Sequence, residues 1–198
     1  MCTDKDPEEA LYSALTNSVR RLVDVTIRSR ADQATIVAVR AKVDEAADEL
    51  GHVLMPQSFG LQETTDGRAV VWGNAVIGLR NALAPPLVVQ HDADGVVWAE
   101  TRLGAAYEGP AGHVHGGICA LLLDHVLGAT AHRPGRPAVT GTLTTRYEKG
   151  TRLGPLRVQA HVDRIAGVKT FAVGHIETAD GITVRAEGIF IHPRNPTK

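Results

Sequence analysis

Hydrophobic positions along this chain change their spacing twice, and the changes divide it into parts. Leu11, Leu15, Val19, Leu22 and Ile27 recur at helical intervals behind Asp6-Pro7-Glu8-Glu9. That tetrapeptide is a helix-start signal: a carboxylate can cap free amides, proline fits the first turn, and acidic residues suit the positive end of the helix. A second stripe, Ile36, Val39, Val43, Ala46, Ala47 and Leu50, predicts a helix over residues 34–50 that turns this face inward and stops at Gly51. Together they predict a helical hairpin in an N-terminal extension, residues 1–51, that serves as a packing arm or an oligomer contact.

The periodicity is lost between residues 52 and 82, where Gly, Pro, Asn and Thr accumulate. This stretch is read as a connector holding one short strand at residues 69–72. Residues 87–90 and 96–99 then flank an Asp94-Gly95 turn and predict a hairpin. Further on, Val139, Gly141, Leu143, Thr145 and Tyr147 alternate with Thr140, Thr142, Thr144 and Arg146, a period of two that marks a strand with one face against a core. Similar alternation returns over residues 156–163, 168–177 and 183–191. Gly150, Gly167 and Asp180-Gly181 punctuate these runs, so three successive antiparallel connections are expected.

From Ile118 to Ala131 the chain is apolar on nearly every side, as a helix enclosed by sheet would be. The order is strand, strand, helix, four strands. An antiparallel sheet wrapped around one central helix in that order resembles the hotdog fold, an α+β class, here expected over residues 83–192 with a short tail at 193–198.

Composition narrows the function. At 198 residues, 43% hydrophobic, 22% charged and a net charge of −1, the chain reads as one core with an appendage, without the basic excess of a nucleic-acid binder or an anionic-membrane binder. Cys2 and Cys119 lie in such different surroundings that no pairing is expected, which favours a reducing compartment. The N-terminus lacks a basic region followed by an apolar stretch, and no segment approaches a membrane span, so a cytoplasmic location is predicted.

Asp124 falls in the middle of the apolar helix. A carboxylate enclosed there must be paired or protonated, and such groups cluster at working sites. Eight residues earlier, Gly116-Gly117 precede the helix. The free amides and positive dipole end at that point can polarise a carbonyl and stabilise an oxyanion. Eight helical residues rise by roughly 12 Å, too far for an attacking group and an oxyanion donor to share one reacting carbon. Two helices antiparallel across a two-fold axis would bring Gly116 of one copy to Asp124 of the other, so a homodimer is predicted.

His115-Gly116-Gly117, Asp124 seven residues beyond the second glycine, and Val139-Thr140 with Arg146-Tyr147 on the next strand resemble the PaaI-type hotdog acyl-CoA thioesterases. The resemblance implies hydrolysis of an acyl-CoA thioester without a cofactor or metal, by a dimer or a dimer of dimers. It makes Asp124 the nucleophile or general base, the Gly116 amide the carbonyl-polarising donor, Thr140 the residue that orients water or the carboxylate, and His115 the holder of the loop. Gly117 joins the substrate contacts. Some relatives carry Asn six residues before the histidine, where this chain has Gly109. Arg146, Arg164 and Lys169 become candidates for CoA phosphates.

Other chemistries have less support. His113 and His115 with Asp124 and His125 would make a metal site only if the loop were extended. Cys119, a conceivable nucleophile, lies about 140° around the helix from Asp124 and reads better as a buried small side chain. A noncatalytic acyl-CoA sensor is the alternative function, and it gives no reason to keep a costly carboxylate beside a thioester. A hotdog hydratase lacks a suitably placed Asp and His pair.

Overall fold

Proline at its first position and Glu8 and Glu9 behind it open helix α1, Pro7–Arg28, in the computed structural model. The structure describes residues 7–64, 67–85, 87–132 and 137–193. Cys2, the Asp6 cap and residues 194–198 of the tail lie outside the described residues. The chain divides into two compact units, Met1–Leu83 and Ala84–Lys198.

In the first unit, Asp32 caps α2, Gln33–Gly51, by accepting from the Thr35 amide at 2.8 Å. The stripe expected to face inward does not: α2 has no buried residue, and Ile36, Val39, Val43 and Leu50 are all exposed. On α1 only Thr16 is buried. The hairpin therefore buries little of its own apolar surface. After it come β1, Gln62–Glu63, and β2, Ala69–Val70, a two-residue ladder shorter than the strand expected at 69–72. Arg80 ties this part together, its guanidinium 3.4 Å above the Tyr12 ring.

The second unit is a six-stranded antiparallel sheet with one helix across it. Its strands are β3 (Gln90–His91), β4 (Val97–Leu103), β5 (Val139–Tyr147), β6 (Gly154–Ala166), β7 (Lys169–Thr178) and β8 (Gly181–Ile191), in the order β3-β4-β6-β7-β8-β5. Helix α3, Gly116–Ala131, lies over β6, β7 and β8. Leu122, Leu123, Val126 and Leu127 are fully buried, as are Val158, Ile176 and Val184 on the sheet. Close approach is bought by glycine: a Cβ added to Gly174 or Gly188 would lie 3.0 or 3.1 Å from the Leu127 methyls. This is the hotdog arrangement, preceded in the sequence by the helical extension.

Three strand expectations need correction. In the first hairpin only Gln90–His91 pairs with β4. Leu87 instead bonds back to the Pro85 carbonyl at 2.7 Å and is buried, filling core space rather than extending a strand. β5 and β6 are not joined as a hairpin, because α3 carries the chain across the sheet face and delivers β5 to the far edge, beside β8. Lastly, β5 does not alternate throughout. Its register shifts between Thr140 and Thr142, leaving Gly141 as an extra residue. Beyond this bulge Thr140 is opposite buried Phe190, on the face that carries Thr145 and Tyr147 opposite buried Ala186 and Val184.

Candidate active site

The loop before α3 fixes the donor end of the site. Val114 N–H donates to the Thr151 carbonyl at 2.8 Å and His115 N–H to the Tyr107 carbonyl at 2.9 Å, so the chain enters the helix from a pinned segment. His115 is the N-cap: its Nδ1 accepts the Gly117 amide at 3.0 Å, and its carbonyl accepts from Ile118. Gly117 is thus already engaged. The Gly116 amide has no hydrogen-bond partner among the described residues, which makes it the open donor at the positive helix end.

Tyr147, in the sequence only the second half of the Arg146-Tyr147 pair, proves to be a direct neighbour. Its hydroxyl donates to the Gly116 carbonyl at 2.8 Å, and a Cβ on Gly116 would lie 3.3 Å from the ring. The glycine is where helix backbone and aromatic ring meet. A signal was present in the phenol that ends a strand otherwise rich in threonine, but nothing local told which backbone group it would reach.

One end of α3 is therefore tied to Tyr147, and its middle is tied to Thr140. The Thr140 hydroxyl donates to Asp124 Oδ1 at 2.9 Å. Asp124 was expected to be enclosed by apolar side chains, but it is half-buried in the single chain. The reason is positional: it bonds to β5, and β5 is the last strand of the sheet among the described residues. Neighbouring His125 is also half-buried, and burial lowers its pKa, opposed by the Asp124 charge.

Gly109 packs against the N-cap rather than facing a ligand. Its amide donates to the His113 carbonyl at 2.9 Å, and an added Cβ would fall 2.7 Å from His115 Cα. The asparagine of some relatives would have to displace that backbone. His113 directs Nδ1 to the Ala111 carbonyl at 2.9 Å, so the two histidines are each engaged with local backbone. Cys119 is buried, with Sγ 3.7 Å from Thr151 Oγ1, and desolvation pushes its thiol pKa up, away from nucleophilic use.

The three candidate phosphate contacts are not gathered together. Arg164, stacked 3.8 Å over Phe171 and bonded to Asp163 at 2.8 Å, flanks the β6–β7 turn with Lys169. Lys169 is in the cross-strand row of Val139, at the Thr140 end of β5. Arg146 is on β5 six residues beyond Thr140, roughly 20 Å away at the usual strand rise. It is highly exposed.

The chain matches the model of the thioesterase superfamily over residues 111–184, which span the His-Gly-Gly start of α3, Asp124, Thr140 and Tyr147. A thioesterase superfamily protein of known crystal structure is 36% identical, with a TM-score of 0.80, over 91% of this chain and 94% of its own. Two more distant likenesses are of fold alone. A phenylacetic acid degradation-related protein from Ralstonia eutropha JMP134 is 21% identical, with a TM-score of 0.50, over 54% of this chain and 84% of its own. Zebra fish thioesterase superfamily member 2 is 19% identical, with a TM-score of 0.50, over 54% and 81%. At 36% identity to the first of these over 91% of its length, this chain belongs to the thioesterase superfamily and is a thioester hydrolase with the hotdog fold.

Proposed function

We propose that the chain hydrolyses acyl-CoA thioesters at a site completed by a second copy of itself. The observation that carries this reading is the placement of a hydroxyl-held carboxylate, Asp124, and an unpartnered amide, Gly116, eight residues apart on one rigid helix. That separation, roughly 12 Å, forbids their acting on one carbonyl within a single chain. An antiparallel partner helix closes the gap in two equivalent places. The free edge of β5, nine residues long, supports the same pairing, since an unpaired strand of that length is a template for another.

In this arrangement the Gly116 amide and the helix dipole polarise the thioester carbonyl and hold the negative charge that develops on its oxygen. Asp124 of the partner subunit either attacks the carbonyl carbon, expelling CoA thiolate and leaving a mixed anhydride for water to open, or takes a proton from water as it attacks. Thr140 holds one carboxylate oxygen and leaves the other for the reaction. The pairing also brings Arg146 towards Arg164 of the partner subunit and Lys169 of the partner subunit, assembling a phosphate-binding set that no single chain offers.

The test is release of free thiol from a panel of acyl-CoAs. Asp124→Asn should lower kcat about a thousandfold while leaving the fold intact. Wild-type protein that binds acyl-CoA without turning it over would instead favour a sensor. Label in the Asp124 side chain after a single turnover in ¹⁸O-water identifies the anhydride route, because water that opens the anhydride at the Asp124 carbonyl leaves its oxygen there.

A further inference from the structure

The α1–α2 segment carries a surface that the thioesterase reading does not use. A groove of about 490 Å³ runs between the helices, lined on one side by Leu22, Val25 and Thr26 and on the other by Ile36, Val39 and Val43. Among the described residues of this unit the apolar face of α2 is left exposed: Ile36 is 57% exposed, Val39 43%, Val43 38% and Leu50 55%. A 19-residue helix with no buried residue gains little stability from tertiary packing, which is where most helical stability arises. Its apolar positions Ile36, Val39, Val43, Ala46 and Leu50 follow intervals of three and four, the seam of a paired helix rather than of a helix lying on a sheet.

We infer that this seam is covered by the same segment of a second copy, with the two α2 helices antiparallel across a two-fold axis at Val43. Two features of the sequence select that occupant. First, the stripe is symmetric about Val43: Ile36 and Leu50 are seven residues to either side, Val39 and Ala47 four. A two-fold contact must be self-complementary in this way.

Second, charge is segregated along the segment. Residues 18–43, around the bend, hold six basic side chains and only Asp24 and Asp32 as acids, a net of +4. The last eight residues of α2 hold Asp44, Glu45, Asp48 and Glu49 and no base, a net of −4. Arg40 and Asp44 bond within the helix, which leaves Lys42 and the bend arginines facing the other three acids of the partner subunit. Antiparallel pairing sets the basic end of each copy against the acidic end of the other, whereas parallel pairing sets like charges together. This contact is separate from the α3–β5 pairing and adds a second association surface to the chain.

Disulfide trapping tests it on the full chain in a Cys2→Ser background. Val43→Cys, on the axis, should form an interchain disulfide under mild oxidation. Ile36→Cys, roughly 21 Å from its own copy in this geometry, should not. Ile36→Cys combined with Leu50→Cys should cross-link again. Adding Val39→Glu to Val43→Cys should reduce the yield at least tenfold. No cross-link at position 43, equal cross-linking at 36 and 43, or a yield indifferent to Val39→Glu would overturn the inference. So would a Val43→Glu chain that loses thermal stability equally at every protein concentration, since that points to an occupant within the same chain.

Discussion

Thr140 and Tyr147 are seven residues apart on β5, an odd separation that would place them on opposite faces of a regular strand, yet both side chains bond to α3. The bulge at Gly141 reconciles the two contacts. Without the extra residue, either the carboxylate or the Gly116 carbonyl would lose its partner, so strand irregularity is what lets one element hold both ends of the candidate site.

Gly141 itself is the sensitive point. A Cβ there would fall 2.9 Å from Ile191 Cγ1 and 3.2 Å from the Ile189 carbonyl. Gly141→Val should therefore shift the local register and turn Thr140 away from Asp124. The expected result is a drop in kcat of tenfold or more with KM little changed. Full activity in Gly141→Val would show that the bulge does not govern the site.

Thr140→Val removes the hydroxyl and keeps the shape, whereas Thr140→Ser keeps the hydroxyl. A hydrogen bond to a charged group is worth about 1.5–3 kcal/mol, or roughly 10- to 100-fold if it is felt in the reaction. Thr140→Val should lose that much of kcat and Thr140→Ser only a few-fold. Equal losses in the two variants would assign Thr140 to packing alone.

Tyr147→Phe deletes one neutral hydrogen bond, to the Gly116 carbonyl, at a half-exposed position. About 1 kcal/mol of unfolding free energy should go with it, measured as a lower denaturant midpoint at unchanged slope. Activity should fall less than in Thr140→Val, because the Gly116 amide remains available. Tyr147→Ala, which also uncovers the glycine backbone, should cost more on both measures.

Much of this architecture was legible in the residues. The all-round apolarity of residues 118–131 announced an enclosed helix, and two-residue alternation announced β6, β7 and β8, because both patterns follow from local geometry. The His-Gly-Gly run and Asp124 stood out for the same reason. What escaped depended on partners distant in the chain. The far-edge position of β5 is set by where α3 delivers the chain, and the Gly141 bulge by its fit to Ile189 and Ile191 of β8. Asp124 looked fully enclosed because apolar neighbours in sequence say nothing about where a sheet ends. The stripe on α2 was read correctly as apolar and wrongly as inward, since periodicity reveals a face and not what covers it.

His125 makes the second unit sensitive to acid. Burial lowers its pKa below the ordinary histidine value of 6.5, against the weaker opposing pull of Asp124. Unfolding returns the ring to water and to that ordinary value, so the unfolded chain binds the extra proton more readily. Stability contributed by neutral His125 is therefore complete above about pH 6.5 and is lost as pH falls from there to the lowered folded value. His175, also lowered chiefly by burial, acts in the same sense. Melting temperatures measured between pH 8 and pH 5 should fall on acidification in the wild type and fall less in His125→Gln, which cannot take up the proton. In Asp124→Asn, where the carboxylate no longer favours the charged ring, the fall should be steeper. Superimposable curves for wild type and His125→Gln would remove His125 as the source of the acid response.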